Sequence, residues 1–121
     1  MAKKILIVDD SAFMRMALRD ILTTNGYEVV GEADSCEQAI VKFQELRPDL
    51  ITLDVVMPGK SGLEILQEIM KMDSQVNALM VTAVGKQSMV IDALSTGAEG
   101  FLIKPFDPTG VIMEVKRILG S

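Results

Sequence analysis

A chain of 121 residues, 49% hydrophobic and 24% charged, carries one hydrophobic core of ordinary size and is neither disordered nor multidomain in composition. Its formal net charge of −5, with no long basic stretch, argues against nucleic acid as a direct partner, because phosphate contacts need clustered Lys and Arg. Histidine is absent and Cys36 is the only cysteine, which excludes a zinc site of the usual kind, Ser-His-Asp and Cys-His catalysis, and an intrachain disulfide.

Any metal must therefore be a hard cation held by oxygen, meaning Mg²⁺, Mn²⁺ or Ca²⁺. The lone thiol suits a reducing compartment. The apolar stretch after Lys3-Lys4 stops at Asp9, too soon for a secretory leader, and no window approaches a membrane span. A cytoplasmic location without membrane contact is expected.

In chain order, residues 4–9 are predicted as a buried strand: short, β-branched and apolar on both faces. Ser11 can cap a helix in which Met14, Ala17, Leu18, Ile21 and Leu22 share one face, with Gly26 as its left-handed stop. Residues 27–33 mix apolar and charged side chains and suggest an edge strand. Ser35-Cys36-Glu37-Gln38 has capping-box spacing, Ala39, Ile40, Phe43 and Leu46 form the next apolar face, and Pro48 closes that helix.

Residues 50–53 are the third strand. Residues 58–61 are turn chemistry, and Ser61-Gly62-Leu63-Glu64 is a second capping box, followed by Leu66, Ile69 and Met70 on one face. Residues 77–81 are the fourth strand, 86–96 a helix stopped by Gly97, and 100–103 the fifth strand. Asp107-Pro108 caps a final helix with Val111, Ile112, Val115, Ile118 and Leu119 inward, ended by Gly120. Strand and helix alternate five times across residues 1–121, with short connections. That pattern implies a parallel sheet with helices on both faces.

Four of the apolar runs stop at a polar side chain: Asp9-Asp10, Asp54, Thr82 and Lys104. In a parallel sheet these stops gather at the carboxyl edge, where open α/β sheets bind ligands. A single aspartate there is ordinarily a turn or cap residue, and Thr82 or Lys104 alone would carry no weight; their joint placement carries the argument. Asp9, Asp10 and Asp54 repel one another unless a cation sits among them. A carboxylate, a hard metal, an ammonium and a hydroxyl converging on one point suit phosphoryl transfer, with an aspartate as nucleophile.

On these residues the chain resembles a two-component receiver domain, and within that family a single-domain CheY-type chemotaxis response regulator. The resemblance covers essentially the whole chain. It rests on Asp9-Asp10, Asp54, Met57-Pro58-Gly59-Lys60-Ser61-Gly62, Thr82-Ala83 and Lys104-Pro105-Phe106, with Asp9-Asp10-Ser11-Ala12-Phe13-Met14-Arg15 pointing to chemotaxis members.

The resemblance implies a flavodoxin-like fold with strand order 2-1-3-4-5. It implies Asp54 as phosphoacceptor from a chemotaxis-type histidine kinase. Mg²⁺ (with Mn²⁺ a substitute) would be held by Asp10, Asp54 and the Val56 backbone carbonyl, with Asp9 acting through water. Lys104 and Thr82 would bind phosphoryl oxygens, and the Lys104–Pro105 bond would be cis. Phe101 would follow Thr82 inward, a two-state element biased by a new anion. It implies a monomeric signalling protein that catalyses only its own phosphorylation and dephosphorylation. Its target would be a flagellar motor switch protein; the alternative is a phosphorelay intermediate or another stand-alone docking receiver.

Val56 and Val84 depart from the family pattern, being apolar where many relatives carry polar groups beside the path of the attacking water. We expect a longer-lived acyl phosphate and a separate phosphatase. Phe101 replaces a frequent Tyr, keeping the ring and losing the hydroxyl. Met89, Val90, Ile91, Ala93 and Leu94 are more apolar positions than one buried helical face needs, so Met89 or Val90 is expected at the surface, making a docking face with Phe101. Cys36 is expected buried or half-buried without a redox role.

Competing site classes fit poorly. A flavodoxin-type cofactor binder needs a hydroxyl- and glycine-rich loop after the first strand, where Asp9-Asp10 would repel the phosphate it must cradle. A P-loop on Gly59-Lys60-Ser61 would need its first glycine where Asp54 stands. A dehalogenase-type phosphatase would need a second acid where Ser11 or Ala12 stands.

Overall fold

The computed structural model describes residues 2–57, 59–83 and 87–120. Ten elements alternate: β1 (Lys4–Val8), α1 (Ala12–Thr24), β2 (Glu28–Ala33), α2 (Cys36–Leu46), β3 (Leu50–Leu53), α3 (Gly62–Met72), β4 (Asn77–Thr82), α4 (Gln87–Thr96), β5 (Gly100–Ile103) and α5 (Pro108–Leu119). All strand pairs are parallel, in the order β2-β1-β3-β4-β5. The expected doubly wound sheet is present, with β2 at an edge.

Among the described residues, α1, α2, α3 and α5 each begin where a side chain satisfies an otherwise orphaned N–H. Ser11, Ser35, Ser61 and Asp107 accept from Met14, Gln38, Glu64 and Gly110. Ser61 and Glu64 complete the reciprocal capping box, but the box predicted at Ser35–Gln38 is only half made. Gln38 turns its side-chain oxygen to the Asp34 N–H instead of to Ser35. Pro58, Val84 and Lys86, which fall in the predicted turn, departure and helix start, lie outside the described residues.

The sheet separates two cores. Residues alternating along each strand bury Leu6, Val8, Ile51, Leu53 and Met80 against α2, α3 and α4, and Ile5, Ile7, Leu50, Leu79 and Val81 against α1 and α5. Strands buried on both faces are why their sequences read as unbroken apolar runs. One misfit sits on the second face: Thr52, only 2% exposed, has an Oγ1 without a hydrogen-bond partner among the described residues. Thr52→Val keeps the shape and removes that desolvated hydroxyl, so the urea midpoint should rise with a gain of about 1 kcal/mol. A fall in the midpoint would mean the hydroxyl is paired in solution.

Candidate functional site

The register delivers the polar stops to one edge. Val8 pairs with Leu53, so Asp9 and Asp54 leave adjacent strands side by side. Thr82 pairs with Ile103, placing Lys104 one step beyond. Backbone hydrogen bonds extend the ladder past the strand ends: Asp9 N to Ala33 O at 3.0 Å, Asp54 N to Val8 O at 3.1 Å, and Lys104 N to Thr82 O at 2.8 Å.

Asp9, Asp54 and Thr82 are almost wholly buried, while Asp10 is exposed at the rim. One carboxyl oxygen from each of Asp9, Asp10 and Asp54 falls within 4.8 Å of the others. Lys104 Nζ reaches across the sheet edge to Asp9 Oδ2 at 2.6 Å and Asp54 Oδ2 at 2.9 Å. Burial works against the charged ammonium, but hydrogen bonds and charge from Asp9 and Asp54 outweigh it and raise the Lys104 pKa above its ordinary value.

The other oxygens are used locally. Asp9 Oδ1 accepts from the Ser11 N–H at 2.9 Å, and Asp54 Oδ1 accepts from the Val56 N–H at 3.0 Å. Both carboxylates are thus oriented by their own following turns.

One ammonium neutralises only one of three gathered carboxylates. The remaining charge, on oxygen donors alone, is a donor set for a hard divalent cation. The Lys104–Pro105 bond is cis. Gly62, the first residue of α3, lies against the acidic strand end: its N–H donates to Val55 O at 2.7 Å. A Cβ built there would sit 2.0 Å from the Asp54 carbonyl oxygen. The sequence placed Gly62 in a capping box and in the stretch that carries the receiver resemblance, but did not show this close approach; a glycine where helices prefer a side chain was the available signal.

Phe101 is half-buried against the α2–α4 core. The expectation for α4 needs correction. Met89 and Val90 are half-buried, and Met89 packs on the same core; Ile91 and Leu94 are the exposed residues, at 54% and 48%. Ala93 is the contact that sets the phase, since Met89 and Val90 lie four and three residues before it and share its face. Ile103, at the end of β5, is also exposed. Val56 is exposed beside Asp54. Cys36 is half-buried, with Sγ 3.8 Å from Glu68 Oε2; burial first, and the Glu68 charge second, push its pKa up.

A second charged cluster borders the site. Glu32 on β2 accepts from Arg15 Nε at 3.0 Å and Arg19 Nε at 2.7 Å. Burial pushes the Glu32 carboxyl up, but the two arginines outweigh it and hold the group below the ordinary carboxylate range.

Comparison with known proteins points one way. The profile of the family described as "Response regulator receiver domain" matches residues 5–116. The chain is 49% identical to the chemotaxis protein CheY of Bacillus subtilis over 119 residues, covering 98% of this chain and 99% of that protein. It is 46% identical to CheY of Thermotoga maritima over 118 residues, covering 98% of each. Among solved structures, a chain of the CheX-CheY-BeF3-Mg²⁺ complex of Borrelia burgdorferi superposes with a TM-score of 0.93 at 35% identity, covering 96% of this chain and 88% of that one. Among the described residues no helix is long and apolar enough to cross a membrane.

Proposed function

The chain belongs to the response regulator receiver family, as a CheY-type member, and from that premise we propose that Asp54 is its phosphoacceptor and Mg²⁺ its cofactor. The observation that carries the reading is Lys104 Nζ bridging Asp9 and Asp54 while Asp10 closes the oxygen cluster. Asp10, Asp54 and the Val56 carbonyl would hold the cation, with Asp9 contributing through water. Bound there, Mg²⁺ supplies charge neutralisation for the phosphoryl oxygens.

The rest falls to the chain. A carboxylate oxygen of Asp54 attacks phosphorus; the P–N bond of a kinase phosphohistidine breaks as the P–O bond forms, and the electron pair leaves with the imidazole. The Val56 N–H orients Asp54 for that approach. Lys104, already within hydrogen-bond reach of Asp54, stands ready to pair with a phosphoryl oxygen. Buried Thr82 and half-buried Phe101 form the responding pair.

The output surface then comprises the outer side of α4 and the end of β5, where Ile91, Leu94 and Ile103 are exposed. It would dock a target, and the CheY likeness supports a flagellar motor switch protein. The protein is a signalling switch whose only chemistry is on itself. Acetyl phosphate tests this: intact mass should gain one phosphoryl group with Mg²⁺, and neither with EDTA nor in Asp54→Asn. Mass gain that ignores Mg²⁺ or persists in the variant contradicts the reading.

A separate phosphatase follows from the apolar Val56 beside the phosphoacceptor, which orients water poorly. Val56→Asn should speed spontaneous loss of the phosphoryl group, measured as decay of the modified mass after the donor is removed. An unchanged or slower decay would remove this argument for an added phosphatase.

A further inference from the structure

Among the described residues Arg15 is the one arginine hydrogen-bonded to the acidic turn, and the phosphoryl-transfer reading above leaves it unused. Its Nη1 donates to the carbonyl oxygen of Asp9 at 2.7 Å. That carbonyl belongs to the peptide linking Asp9 to Asp10, so holding it fixes the plane from which the Asp10 side chain departs.

The guanidinium is itself held. Its side chain is 17% exposed, Nε is paired with Glu32 at 3.0 Å, and Arg19 takes the second Glu32 oxygen at 2.7 Å. Glu32 is in turn anchored through its carbonyl, which accepts from Lys42 Nζ. On the other side of the same turn, Asp9 N donates to Ala33 O at 3.0 Å. The turn between the two acids is therefore clamped to β2 at both backbone groups of Asp9, once by the ladder and once by Arg15.

The structure assigns Arg15, seated on Glu32, as a positioning residue that sets the Mg²⁺ affinity of the site by orienting the Asp9–Asp10 peptide. This rests on the Mg²⁺-binding reading above. Arg15 touches neither the cation nor the carboxyl oxygens, and acts through a backbone carbonyl. Partners in that outer layer commonly tune metal affinity about tenfold or more.

Charge and position predict opposite signs. Arg15 is a cation near the acidic cluster, so as a mere charge its removal tightens Mg²⁺ binding. As a clamp, its removal weakens it. Arg15→Lys keeps the charge but cannot reach Asp9 and Glu32 with one planar fork.

The test is calorimetric titration of the whole unphosphorylated protein with MgCl₂, alongside thermal midpoints. The expected result is a Kd raised roughly tenfold in Arg15→Met. Arg15→Lys should show a smaller rise, with its thermal midpoint near that of the parent. A Kd unchanged or lowered in both overturns the assignment while leaving the Mg²⁺ site intact. If Arg15→Met does not fold cooperatively, Arg15→Lys decides alone, since its charge is unaltered. Absence of Mg²⁺ binding by the parent protein overturns both this assignment and the reading it rests on.

Discussion

Replacing Lys104 with methionine should destabilise the protein in EDTA by about 3 kcal/mol, and added Mg²⁺ should restore most of the loss. Lys104 is the cation hydrogen-bonded to two carboxylates that are 1% and 6% exposed. Removing it leaves those charges buried and crowded by Asp10, the situation in which breaking a buried pair is most costly. A divalent cation entering the same cluster would replace the lost charge, so the variant should bind Mg²⁺ more tightly than the parent.

Phosphoryl uptake should nevertheless fall, by about 10² or more, because the donor aimed at the transferring group is gone. The two effects separate the roles: stability returns with Mg²⁺ and reactivity does not. Urea denaturation with and without Mg²⁺, and the rate of mass gain from acetyl phosphate, read them independently. Equal stability of both proteins in EDTA would contradict the pairing.

The pH dependence has a definite sign. Because the folded-state pKa of Lys104 is raised, its contribution to stability is complete below its unfolded value. It is lost only as pH rises through the higher folded value, so neutral to mildly alkaline pH leaves it intact.

Gly62→Ala should be the most damaging conservative change outside the acids. Helix propensity alone favours alanine by about 1 kcal/mol at an interior helix position. Here the added Cβ would lie 2.0 Å from the Asp54 oxygen, 2.8 Å from its carbon and 3.0 Å from Val55 Cα. These are backbone atoms, so no rotamer change relieves them.

Either the start of α3 or the end of β3 must shift, and the second moves Asp54 itself. A loss of about 1–3 kcal/mol is expected from the overpacking. Uptake should fall by about 10², the scale set by misplacing a reacting group by an ångström. Denaturation midpoint and uptake rate report the two consequences. A stabilised variant with unchanged uptake would show propensity winning over contact.

What sequence alone could reveal divides along physical lines. Parallel strands buried on both faces announce themselves as short apolar runs, and their polar stops name the site: Asp9, Asp10, Asp54, Thr82 and Lys104 all reach the same sheet edge. Serine and aspartate caps were legible because capping is local in the chain.

Phase and tertiary pairing were not. In α4, apolar residues occupy both faces, so periodicity could not decide that Met89 packs on the core and Val90 is half-buried while Ile91 and Leu94 face out. That choice is made by where Ala93 meets the sheet layer. Gln38 had capping-box spacing yet found Asp34 instead, a decision of rotamer rather than spacing. Arg15 reaches Glu32 across 17 residues and Asp9 through a backbone atom, and no local pattern encodes either contact.

The most direct measurement of the central claim is chemical trapping. The protein is incubated with acetyl phosphate and Mg²⁺, reduced with borohydride, digested and mapped by mass. An aspartyl phosphate is reduced to homoserine, so homoserine at position 54, and at no other aspartate, is the predicted result. Homoserine at position 9 or 10, or a stable phosphoryl group elsewhere with Asp54 unchanged, would contradict the account.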